Sequence, residues 1–130
     1  MRSAILIALL AVAAPASAAA PRDDGETKLQ KLLEGRVAGA PVSCVSLRQL
    51  GSSQVIDGTA IVYRGAGSRL YVNRPDNGAS SLRSDDVMVI RTPTGQLCNI
   101  DTVTMLDRQT QSFTGVVMLG DFVPYDRVRR

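Results

Sequence analysis

A chain of 130 residues carrying fifteen basic and twelve acidic side chains is long enough for one domain and too short for two. Its net charge of +3 marks no polyanion partner, because the basic residues, thirteen of them arginine, stand singly apart from Arg129-Arg130. Histidine is absent, which removes the commonest general base, the usual partner of a nucleophilic Ser or Cys, and the commonest metal ligand.

The first elements read as an export signal. Arg2 gives a positive end, residues 4–14 form an unbroken apolar run, Pro15 ends it, and Ala16-Ser17-Ala18 offers the small residues a signal peptidase requires. Eleven apolar residues rise only about 16 Å as a helix, roughly half the hydrocarbon core of a bilayer, so a membrane span is not expected. Cleavage after Ala18 makes residues 1–18 a signal peptide, 19–25 a flexible lead and 26–130 a single β-rich domain, in the periplasm or secreted. No cysteine lies near the junction, so no lipid anchor is expected there.

Asp23 and Glu26 have capping-box spacing before an amphipathic stretch, residues 27–34, with Leu29, Leu32 and Leu33 on one face and Gly35 as a natural C-terminal stop. Beyond Pro41 the hydrophobic period changes to two. Residues 42–47, 54–57, 59–64, 69–73, 87–92, 97–106 and 113–119 are rich in β-branched or aromatic side chains, with a final extended piece at 122–125. Turn residues separate them at Asp57-Gly58, Gly65-Ala66-Gly67, Pro75-Asp76-Asn77-Gly78 and Pro93-Thr94-Gly95. About seven short strands at close spacing predict a mainly β fold, a small antiparallel barrel or sandwich with one short N-terminal helix.

Cys44 and Cys98 are the only cysteines. In an exported chain they are expected to form one structural disulfide. Neither stands in a CxxC pair, and with no histidine a redox or metal role is not expected. No cofactor is expected.

The remaining chemistry-bearing residues fit ordinary structural roles. Asp85-Asp86 read as a charged turn, and Asp101, inside an otherwise apolar run, reads as the partner of a nearby turn or arginine. A carboxylate hydrolase would need Asp101 within about 10 Å of Asp85 or Asp86. Asp76-Asn77-Gly78 lacks the alternating ligands and closing Glu of a calcium loop. Gly65-Ala66-Gly67 lacks the helix start and Lys of a phosphate loop. Tyr63 and Tyr71 among Arg64, Arg69 and Arg74 imitate a nucleic-acid stacking sheet, but export argues against a nucleic-acid partner. Sugar platforms are limited by the absence of tryptophan. Phe122, Val123, Pro124 and Tyr125 form an apolar, aromatic segment near the terminus, read either as an edge strand, which Pro124 suits, or as a surface for a partner protein.

Several pieces in combination carry a resemblance: Gly35-Arg36 with residues 39–44, Tyr71-Val72-Asn73, Leu97-Cys98 with Asp101, and Leu119-Gly120 with residues 122–125. The chain resembles a group of short exported proteins of alphaproteobacteria. The resemblance implies export and a shared fold, and carries no activity, ligand or site. In architecture the expected domain is similar to the small periplasmic β-barrel inhibitors of secreted metalloproteases, without their tryptophan-bearing pattern.

The expected function is therefore a non-enzymatic exported β domain, an envelope component or a binding module for an unidentified protein or envelope partner. The alternatives are an inhibitor or adaptor acting through residues 119–130, and a carboxylate hydrolase.

Overall fold

The computed structural model describes residues 24–129. The expected signal, residues 1–18, and residues 19–23 of the lead lie outside them. Among the described residues the chain forms one α-helix, α1 (Asp24–Leu32), and ten short strands: β1 (Arg36–Ala38), β2 (Cys44–Ser46), β3 (Ser53–Ile56), β4 (Ala60–Arg64), β5 (Leu70–Asn73), β6 (Val87–Ile90), β7 (Gln96–Cys98), β8 (Thr102–Leu106), β9 (Phe113–Met118) and β10 (Phe122–Arg127). A single 3-10 turn, Ala79–Ser81, separates β5 from β6. No helix among the described residues is long and apolar enough to cross a membrane.

The strands build three antiparallel sheets rather than a closed barrel, so the mainly β expectation holds in its sandwich form. The largest sheet has the order β1-β10-β5-β4-β3, β2 pairs with β7, and β6-β8-β9 form the third. Alternation along the large sheet gives it two apolar faces. Ile61, Tyr63, Tyr71 and Phe122 point toward the smaller sheets and pack with Val45, Leu97, Val103, Met105 and Val117. Ile56, Ala60, Val62, Leu70 and Val72 point the other way and are covered by Leu29 of α1. A helix of nine residues is not stable alone, and this burial is what holds it.

The expected capping box pairs Glu26 with Asp23, which lies outside the described residues. The Glu26 carboxylate accepts both ends of the Arg74 guanidinium, which holds its pKa below the usual carboxylate range. Gly35 does adopt the left-handed conformation, φ 70°, that stops the helix.

Two expectations about strands need correction. The run 97–106 is not one strand. It breaks between β7 and β8 at Asn99-Ile100, where the Asp101 carboxylate accepts the Cys98 N–H at 2.7 Å. The C-terminal piece is not an edge. β10 lies inside the large sheet, between β1 and β5. Pro124 is tolerated there because its backbone faces the β1 side, where Gly39 N–H donates to its carbonyl at 2.7 Å. The missing Pro124 N–H therefore interrupts no bond to β5, and on the β1 side regular pairing has already ended at Ala38.

Candidate functional site

The disulfide joins Cys44 of β2 to Cys98 of β7, directly opposite each other with Cα atoms 4.0 Å apart. Asn99 N–H to Ser43 and Leu47 N–H to Gly95 place these cysteines at a non-hydrogen-bonded position, where facing side chains are closest. The bridge pins the two-stranded sheet, whose inner residues Val45 and Leu97 belong to the core.

The segment Phe122 to Tyr125 is an unsuitable contact surface. Phe122 is fully buried against Tyr63, their ring centroids 6.0 Å apart, Pro124 is buried, and Val123 and Tyr125 are partly covered. The expectation that these four residues meet a partner was drawn from their apolar character, which the core uses instead.

Asp101 does not join Asp85 and Asp86 either. In the β6–β8 ladder Val87 faces Leu106 and Ile90 faces Val103. Asp86 therefore stands at one end of the ladder and Asp101 at the other, about 15–20 Å apart at roughly 3.4 Å per residue. Each has a local task. Asp86 accepts the Thr114 hydroxyl at 2.7 Å, and Asp101 closes its turn. Asp107, near Asp85 and Asp86, accepts the Gln109 and Thr110 N–H groups and the Thr110 hydroxyl, which hold its pKa down. No group of carboxylates or cysteines suited to a metal ion occurs among the described residues. Asp76 and Asn77 belong to a crossing segment that bridges to Met118, not to a calcium loop or a simple hairpin.

A surface that sequence reasoning did not single out is the outer face of β6-β8-β9. Met88, Ile90, Val103, Met105 and Val117 point inward to the core. By alternation the outer face presents cross-strand rows: Val87, Leu106 and Phe113; then Val89, Thr104 and Val116; then Thr102 and Met118. No charged side chain stands in these rows. Phe113 is 65% exposed, Met118 48%, Val116 42% and Val87 41%. A β-bulge beside Leu106 keeps Phe113 in the first row. An outer sheet face ordinarily alternates to polar residues, so a largely apolar face that no other described residues cover is a candidate contact surface. Charge closes the face only at its ends, with Asp86 and Asp107 at one side and Arg91 beyond Ile90.

No protein-family model, curated protein or solved structure matches the chain.

Proposed function

We propose that the protein is a non-enzymatic, exported binding module, and that its contact surface is the outer face of β6-β8-β9 rather than the C-terminal segment. The observation that carries this reading is the continuous uncharged row structure of that face with Phe113, Val116 and Met118 in solvent. The partner it suits is a protein surface of similar apolar character, because the charged groups stand only at the ends of the face. Export is supported by the pattern of residues 1–18 and by a disulfide of the kind oxidising compartments sustain. The resemblance to short exported alphaproteobacterial proteins is part of the same proposal. A non-enzymatic role is favoured by the separation of Asp86 from Asp101 and by a chain without histidine.

Site-specific photocrosslinking in the producing cell tests it. A photoreactive residue at Val89 or Val116 is expected to give discrete protein adducts, while the same residue at Arg48, an exposed turn position outside the face, gives none. Equal labelling from all three positions, or none from the face, removes the reading.

A further inference from the structure

We propose that the large sheet carries a second, separate site, a cleft that binds a small phosphate-bearing anion through Arg36, Arg64 and Arg127. The inference does not rest on the apolar face, which lies across the core from it.

The geometry begins with β1 and β10. Arg36 and Arg127 are direct cross-strand partners. Val128 N–H donates to Gly35 and Gly39 N–H to Pro124, so the intervening Arg36–Arg127 position is a non-hydrogen-bonded pair, where facing side chains approach most closely. Like charges directly opposite in a sheet are destabilising. Pairing through Tyr125, Leu70 and Arg64 places Arg64 on the same face, and Leu70 and Val62 beside it are apolar. Three arginines thus share the part of the helix-side face that α1 leaves uncovered.

These charges are not neutralised by the chain in the way their neighbours are. Arg69 pairs in bidentate fashion with Asp126, and Arg74 with Glu26. Those are the two ion pairs found among the described residues. The Arg36 guanidinium donates instead to the Ser68 carbonyl, which orients it without cancelling its charge. Burial and the nearby positive charges of Arg127 and Arg64 lower its pKa, with Asp126 only partly offsetting them.

The arginines open onto a cleft of about 670 Å³ whose wall also includes Lys31, with Glu34 as its single acidic side chain, a local balance of +3. That volume is in the range of small-ligand sites. Guanidinium groups suit phosphate oxygens because their planar fork donates in pairs. Ser52, Ser53 and Gln54 on the opposite rim supply neutral hydrogen-bonding groups, and Leu32, Val62 and Leu70 give an apolar floor for the remainder of the ligand. A multiply charged anion seated there converts the repulsion of Arg36 and Arg127 into attraction toward a shared centre.

The test uses the protein expressed with its own leader and purified, titrated calorimetrically with pyrophosphate and with inositol hexakisphosphate, beside vesicles of anionic and of zwitterionic phospholipid. The expected result is saturable binding of a soluble probe that weakens about tenfold or more in Arg36→Gln and in Arg127→Gln, and is unchanged in Arg48→Gln. Melting of the free protein supplies a second reading. Arg127→Gln is expected to raise Tm without ligand, because it relieves the facing charges, and to abolish the further rise that the probe gives the parent protein. The proposal is overturned by an absence of saturable probe binding, by equal weakening in Arg48→Gln, or by binding to anionic vesicles alone, which would make the arginines a membrane-contact patch.

Discussion

Asn73 and Gly120 exchange two hydrogen bonds at the centre of the molecule: the Asn73 amide donates to the Gly120 carbonyl at 2.7 Å and its oxygen accepts the Gly120 N–H at 3.0 Å. Among the described residues Asn73 is, apart from the Tyr63 hydroxyl, the polar side chain buried in the core. It fastens the end of β5 to the turn between β9 and β10, so one amide fixes the junction of two sheets. Asn73→Ala leaves both Gly120 groups without partners and is expected to cost about 2–3 kcal/mol in urea unfolding. Asn73→Asp replaces the donor by a carboxylate facing a carbonyl, and its stability should fall as pH rises above the carboxyl range. A loss below about 0.5 kcal/mol in Asn73→Ala would show that water or rearrangement supplies the missing bonds.

The disulfide closes a span of 54 residues between cysteines. Removing it in a Cys44→Ala, Cys98→Ala double variant is expected to lower stability by about 4 kcal/mol through the entropy of the unfolded chain. Reduction of the parent protein should produce the same shift. Identical melting of oxidised and reduced protein would contradict this.

Tyr63 carries a buried hydroxyl without a hydrogen-bond partner among the described residues. Burial pushes its pKa well above the ordinary value of 10.0. The folded state therefore holds this proton more tightly than the unfolded chain. Stability is undiminished below pH 10 and declines as pH rises beyond it. Tyr63→Phe should be neutral or stabilising at pH 7, since it removes an unsatisfied polar atom, and should flatten the alkaline decline. Chemical unfolding at pH 7 and pH 11 reads both effects; a large loss at pH 7 would mean that the hydroxyl has a partner.

At the acid end the signs reverse. The Arg69 guanidinium holds Asp126 below the usual carboxylate range, and Arg74 does the same for Glu26. Depressed pKa values give stability that is present at neutral pH and lost as pH falls through the folded-state values. Tm is expected to drop from about pH 4 downward. Asp126→Asn should drop less steeply, and an unchanged acid limb would place the dependence elsewhere.

Local patterns were readable where neighbouring segments pair. β3, β4 and β5 follow one another with turns at Asp57-Gly58 and Gly65-Ala66-Gly67, and β4 and β5 stand out as short apolar runs buried on both faces. β1 left no such trace, being three residues long with an arginine and an alanine. The break before β8 was hidden by Ile100, whose β-branched side chain continues the apolar run although it is 86% exposed. Asn99 and Asp101 around it were the available signal. The position of β10 depended on long-range pairing with both β1 and β5, which Pro124 obscured by suggesting an edge. For the same reason the arginines looked scattered: Arg36 and Arg127 are distant in sequence and become neighbours only through that pairing. The apolar face was unreadable for a different reason. Val116 looks like a core residue, yet on the outer face of β9 it is 42% exposed.

The pairing of β1 with β10 also sets the order of events. The large sheet lacks an interior strand until residues 122–127 are in place, because β10 lies between β1 and β5. Helix α1 can settle onto β3-β4-β5 before that, but the five-stranded order is complete only once β10 has paired on both sides. Completion of the large sheet thus waits on its most distant pairing, Arg36 with Arg127, a non-local contact of the kind that slows folding.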